Sequence, residues 1–144
     1  MRSLLYHITA IYPAAESFHL VMFFCRIIIT IEFVVVHGLK KIGIGVANAE
    51  VIPNPLHWPV FVNDYFILFA SLVAPVFIII GLYTRLAIMP VLAVTLTGYF
   101  IVHWNDSLLI KDVPFIYSMI YLLILVLGPG KYSADYFIHK KQAV

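Results

Sequence analysis

The sequence predicts an all-α integral membrane protein, a four-helix transmembrane bundle, and three observations lead there. Of its residues 63% are apolar and only 11% charged. The apolar residues gather into four stretches long enough to cross a bilayer, and most of the charges fall beside or between them.

The first observation selects the solvent. A water-soluble chain of 144 residues has a large surface for its volume and needs roughly a quarter of its residues charged to cover it. Lipid is the solvent that remains, and the lipid bilayer is the first partner. A net charge of +2, with no basic stripe interleaved with exposed aromatics, argues against nucleic acid. Cys25 is the one cysteine, so no intrachain disulfide forms, and among Phe23, Phe24 and Ile27 it reads as a small buried hydrophobe.

The second observation sets the elements, all within one domain over 1–144. A helix rising about 1.5 Å per residue needs about 20 residues to cross about 30 Å of hydrocarbon, with its backbone groups bonded to one another. Four segments fit, at about 18–38, 62–82, 86–104 and 113–128. Before them, Leu4, Leu5, Ile8, Ile11 and Tyr12 recur at helical spacing, as in a short helix lying in the membrane interface. His7, Pro13 and Glu16 interrupt any cleavable signal core, so the N-terminus is expected to be retained. Only Tyr83, Thr84 and Arg85 join the second and third segments. Gly81 before them and Arg85 after them favour an antiparallel hairpin over one long helix. The loop from about Leu39 to Phe61 holds Pro53, Pro55, Pro59, His57 and Trp58, is too long for a simple turn, and is expected to lie over the bundle.

The third observation sets orientation. Arg2, Arg85, Lys131, Lys140 and Lys141 lie on one side, against Lys40, Lys41 and Lys111 on the other. The basic excess places both termini in the cytoplasm, and the expected location is the bacterial cytoplasmic (inner) membrane. Trp58 and Trp104 fall at the opposite interface, where indole rings are favoured.

Charges inside a span cost about 2.5 to 3.5 kcal/mol on insertion scales, so Arg26 and Glu32 are expected to face protein. Six positions turn them about 120° apart and about 9 Å along the helix, so each looks to another helix for a partner. Pro75 frees the carbonyl of Ser71. Counting from the cytoplasmic ends puts Ser71 at a depth between the two charges, which suggests an Arg26, Ser71, Glu32 cluster, either a polar pocket or an ion pair that fixes packing. His37, His57 and His103 gather at the outer end with Asp106 and Asp112. Imidazoles there can exchange protons near neutral pH, but their spacing matches no compact metal motif, and no metal site is expected. No phosphate-binding loop, dinucleotide fingerprint, C-x-x-C pair or nucleophile elbow occurs.

Two motifs remain: Gly81, Leu82, Tyr83, Thr84, Arg85, Leu86, and later Gly128, Pro129, Gly130, Lys131, Tyr132, Ser133, Ala134, Asp135. Glycines around Pro129 let the last span end in a tight bend, with Lys131 near the helix C-terminus and Asp135 in reach of Lys131 or Arg85. A structural clamp is the plain reading. Together the motifs resemble the DoxX family of small four-helix membrane proteins, with support from Arg26, from His37, Gly38 and Lys41, and from His103. One departure stands out. Family members often carry a glutamate about ten residues before the glycine of the turn, where this chain has Ser71; Glu32 is the candidate to supply that carboxylate from the first helix.

The resemblance implies kinship with a membrane subunit of a thiosulfate to quinone oxidoreductase and with membrane anchors of redox complexes. The expected function is an accessory subunit of a membrane redox system, with redox partner proteins and a quinone-sized pocket between the helices. Arg26, Glu32 and Ser71 would bind the headgroup, and His37 or His103 would relay protons. The alternative is a non-catalytic scaffold or assembly factor. A transporter is disfavoured by the few polar residues in the spans and the lack of an inverted repeat. Outward apolar faces permit homo-oligomers.

Overall fold

The computed structural model describes residues 15–142, so the interfacial helix expected around Leu4 to Tyr12 lies outside the described residues. Every regular element among the described residues is helical. Four helices are long and apolar enough to cross a membrane: α1 over Glu16–Ile42, α2 over Val60–Ile80, α3 over Thr84–Val102 and α4 over Leu108–Leu127. A short fifth helix, α5, covers Ala134–Gln142. The chain is an integral, multi-pass membrane protein.

Two boundaries differ from the sequence reading by more than two residues. Helix α4 begins at Leu108, five residues before the expected start, and takes Lys111, Asp112 and Pro114 into its first turns. The amide N–H groups of Ile110 and Lys111 donate to the Ser107 carbonyl, closing the first turn. The Lys111 ammonium donates to the Trp104 carbonyl and lies 5.1 Å from the centre of its ring, so this charge reaches back to the interface instead of ending the helix. Helix α1 runs past Gly38 to Ile42, tightening into a 3-10 turn over Leu39–Ile42.

The hairpin between α2 and α3 forms as expected. Gly81 ends α2 with φ +77°, and Tyr83 takes φ +47° before α3 starts at Thr84. The helices pack in chain order, α1 on α2, α2 on α3 and α3 on α4, while α4 closes the ring against α1 through a lighter seam. Phe33, Ile78, Ile88, Val91, Tyr117, Tyr121 and Ile124 make the centre of the core. Outside it, large apolar side chains such as Val21, Leu86 and Val126 stand about two-thirds exposed. Water would not tolerate that surface, whereas lipid tails match it.

With lipid as solvent, helices associate by close fit and polar contact more than by hydrophobic drive. Helix α1 meets α2 where both carry small residues: Ala70, Ser71 and Ala74 are fully buried, and Gly38 sits against them. A Cβ on Gly38 would come 2.6 Å from the Ser71 carbonyl oxygen. Three helices also widen into single π turns, at Val34–Gly38, Phe69–Val73 and Gly98–Val102. The second lies just before Pro75, whose missing N–H already leaves the Ser71 carbonyl without its helical donor.

Candidate functional site

The bundle opens at the end that holds the long loop. There a cavity of about 430 Å³ lies between the helices and beneath the loop. Its floor is aromatic. Phe33 and His37 of α1 meet Tyr117 of α4 edge to face, with centroids 5.2 Å apart for each pair with Tyr117. Two of the three π turns contribute to the wall, His37 from the first and Gly98 with Val102 from the third. A π turn carries one extra residue and re-aims the side chains around it, which is why such turns recur at binding sites.

The loop is a fixed roof over this space, as the sequence suggested. Glu50 is held by Lys40 at 3.2 Å and Lys41 at 3.8 Å, and its amide N–H donates to the Lys40 carbonyl. The Asn54 side chain brackets Trp58, donating to its carbonyl at 2.6 Å and accepting from its N–H at 3.0 Å. Buried Asn63 of α2 donates to the Pro53 carbonyl at 3.2 Å. These bonds set Pro53, Pro55, Leu56 and Trp58 along the cavity's upper side.

The cavity lining is mostly apolar, broken by His37, Lys40, Lys41, Glu50, Asn63, Thr95, Thr97 and His103. His37 is half-buried in the wall, and its carbonyl accepts from the Lys41 ammonium. Thr95 lines the floor, its hydroxyl 2.9 Å from that of Ser118. His103 stands at the mouth with Nδ1 2.7 Å from Asp106 Oδ2, so the carboxylate orients the ring. His37 and His103 thus line one cavity, whereas His57, expected beside them, stands exposed and does not line it. No local pattern in the sequence singles out Asn63, Thr95 and Tyr117 as cavity residues.

Arg26 does not belong to this cavity. It is fully buried at the opposite end of the bundle, where Nη1 donates to the Pro129 carbonyl and Nη2 to the Tyr132 carbonyl, each at 2.9 Å. Gly81 lies directly against it: a Cβ there would sit 2.6 Å from Arg26 Nη1 and 2.6 Å from Ser133 Cβ. The expected Arg26, Ser71, Glu32 cluster does not form. Ser71 is buried beside Gly38 with its hydroxyl unpartnered among the described residues, and Glu32 is exposed on the outer face of α1. The reason is an axial offset: α1 starts well beyond the level where α2 ends. Gly81 stands beside Arg26, so Ser71, ten residues up α2, comes level with Gly38 and well above Glu32.

The second motif is also assigned differently. Asp135 pairs with neither Lys131 nor Arg85. Its carboxylate accepts from the Tyr83 N–H at 2.7 Å, the Thr84 N–H at 3.0 Å and the Thr84 hydroxyl at 2.9 Å, and its own N–H donates to the Gly81 carbonyl. It caps the start of α3 from 51 residues away, satisfying donors that the helix leaves open and meeting the positive end of its dipole. Lys131 instead approaches Glu16 at 3.5 Å, and Arg85 donates to the Val126 carbonyl at 3.3 Å. Gly128 and Gly130 carry the bend between them, at φ +83° and +80°. We expect Asp135→Ala to lower stability by about 1 to 2 kcal/mol, as loss of a helix cap does, with Asp135→Asn losing less; unfolding in a mixed-micelle denaturant titration checks both.

The sequence model of the family described as DoxX matches residues 21–104, more than half of the chain, covering most of the first span, the second and third spans and the Gly81 to Leu86 motif but not the Gly128 to Asp135 motif. No curated protein and no solved structure matches the chain.

Proposed function

This chain belongs to the DoxX family, and from that premise we propose that it is an accessory subunit of a membrane redox system whose roofed cavity receives the headgroup of a quinone or quinol. The observation that carries the reading is the cavity itself: about 430 Å³, inside the range of roughly 300 to 1,000 Å³ usual for small-molecule sites, and mostly apolar with polar side chains set into its lining. A quinone presents two carbonyl oxygens on a flat ring. Phe33, Tyr117 and Trp58 offer surfaces to such a ring, while His37, Lys41 and His103 offer donors to its oxygens. An isoprenoid tail would leave between the helices into lipid.

When bound, a quinone supplies a two-electron, two-proton redox couple; the chain supplies the place and the proton contacts. His103, steadied by Asp106 at the mouth, is positioned to pass protons between the cavity and water. Electrons come from partner proteins docked on the bundle. By the distribution of lysine and arginine the cavity faces the outer side of a bacterial cytoplasmic membrane, with both termini inside. In this reading the binding residues are His37 and His103 with Lys41, while Arg26 secures the opposite end.

The test is extraction of the detergent-purified protein and mass spectrometry for isoprenoid quinones. Near-stoichiometric quinone is expected in the wild type, with about a tenfold weaker retention in His37→Leu, the equivalent of one lost hydrogen bond. A well-folded wild type that carries none and takes up none when reconstituted would move the assignment to the non-catalytic scaffold.

A further inference from the structure

Around the cavity, three of the four junctions between neighbouring helices are shut. Helix α1 meets α4 through Phe33 and His37, whose rings stand edge to face with Tyr117. Helix α3 meets α4 where the Ser118 hydroxyl donates to Thr95 Oγ1 at 2.9 Å and where a Cβ on Gly98 would come 3.7 Å from Pro114 Cβ. Helix α1 meets α2 where Gly38 lies against the Ser71 carbonyl. The fourth junction differs along its length. The inner part of α2, from Phe69 to Ile80, packs on α3, whereas the outer part, Val60–Leu68, forms no packed seam with it. The two helices part toward the outer side.

This parting opens the cavity sideways. Ala93, Val94 and Thr97 of α3 line it opposite Phe66 and Ile67 of α2. Ala93 is nevertheless exposed, and it follows Met89 by four residues and Leu86 by seven, which are 55% and 71% exposed, so it belongs to the lipid-facing side of α3. It stands nine residues, about 13.5 Å, from either end of that helix, in the middle of the span. A residue that faces lipid at mid-membrane and also borders the cavity marks an opening into hydrocarbon. Its edges are small on α3 and aromatic on α2, where Phe66 is in T-shaped contact with Trp58 of the roof, with centroids 6.1 Å apart. The other end of the cavity is unlike this one: His37, Lys41, Glu50, Asn63 and His103 gather beneath the roof and at the mouth. The space grades from polar at the outer interface to apolar at the membrane's middle, which is the profile of an amphiphile standing in one leaflet.

We propose that the slot between Phe66 and Ala93 is the lateral entrance of the cavity, and that the ligand is a membrane-dissolved amphiphile whose polar ring sits beneath the roof while its long apolar chain runs over Ala93 into lipid. This rests on the quinone reading above and narrows it to long-chain isoprenoid quinones. The chain needs no burial in protein, so a cavity of about 430 Å³ has only the ring to hold. A ligand arriving through the slot never carries its chain through water, where apolar surface is strongly disfavoured. The mouth at His103 is then left to protons.

The test uses the full chain in lipid nanodiscs and two probes with the same ring: a long-chain isoprenoid quinone dissolved at graded content in the nanodisc lipid, and a tailless dimethoxy-methylbenzoquinone supplied from water. Bound long-chain quinone is counted by mass spectrometry after re-isolation of the protein, and the tailless one by equilibrium dialysis. Ala93→Phe, which fills the slot from its lipid-facing edge, is expected to weaken retention of the long-chain quinone about tenfold while leaving the tailless one unchanged. Thr97→Leu, one turn further along the slot, is expected to act in the same direction and less strongly. Met89→Phe, on the same side of α3 but outside the cavity, should match wild type with both probes. Unchanged thermal stability of the quinone-free variants shows that folding is intact, and if Ala93→Phe is unstable Thr97→Leu decides. Wild-type retention of the long-chain quinone by the slot variants, or equal loss of both probes, overturns the proposal. A wild type that binds the tailless quinone but not the long-chain one also overturns it, while leaving the cavity a quinone site. Binding of neither probe removes the quinone reading itself, and the slot's ligand with it.

Discussion

Replacing Arg26 with alanine is expected to lower the stability of the bundle by about 3 to 5 kcal/mol, since two charge-assisted hydrogen bonds at about 1.5 to 3 kcal/mol each are lost and the acceptors stay buried. The guanidinium is 1% exposed and joins α1 to the Pro129 and Tyr132 carbonyls, 103 and 106 residues further along the chain. Those carbonyls belong to the bend after α4, where no helical donor serves them. Lysine should rescue little, because one ammonium on a flexible stem does not reproduce a planar fork aimed at two oxygens. Reversible unfolding in mixed micelles measures both variants. A loss under 1 kcal/mol for Arg26→Ala would mean that water reaches these carbonyls and that the side chain does not hold the bend.

Substituting Gly81 with alanine is expected to cost about 2 to 4 kcal/mol. Two penalties combine. The residue sits at φ +77°, a left-handed conformation that costs a side chain about 1 to 2 kcal/mol, and the new Cβ would press within 2.6 Å of both the guanidinium and Ser133, an overpacking worth about 1 to 3 kcal/mol. Asparagine tolerates the backbone but not the crowding, so Gly81→Asn should be no better than alanine. The clash is partly with Arg26 itself. The double variant Arg26→Ala, Gly81→Ala is therefore expected to lose less than the sum of the two, by about 1 kcal/mol or more. Strict additivity would show that the two residues act separately.

These two residues and Asp135 form one construction. Arg26 draws the bend after α4 onto α1, Gly81 leaves room for the guanidinium, and Asp135 fastens the start of α5 to the start of α3. The Gly81 to Leu86 and Gly128 to Asp135 stretches, far apart in the chain, are two halves of the same joint. Closing the bundle at this end leaves the other end free to hold a cavity, so the polar residues of the sequence divide between support and site. Arg26 and Asp135 belong to the first, His37 and His103 to the second. Glu32 belongs to neither.

The solvent, the four crossings, the hairpin at Tyr83 to Arg85 and the loop over the bundle are legible in the chain, because each depends on length, hydropathy or local backbone preference along one stretch. The rotation of each helix and its offset along its axis come from tertiary packing. In a water-soluble bundle the polar face announces the outside, and rotation can be read from the pattern. Here lipid makes both faces of every helix apolar, so the pattern orients nothing, and an exposed Glu32 reads the same as a buried Arg26. Axial offset is equally silent in the sequence, since it follows from Gly38 seating on Ser71 and from a guanidinium reaching carbonyls more than a hundred residues away.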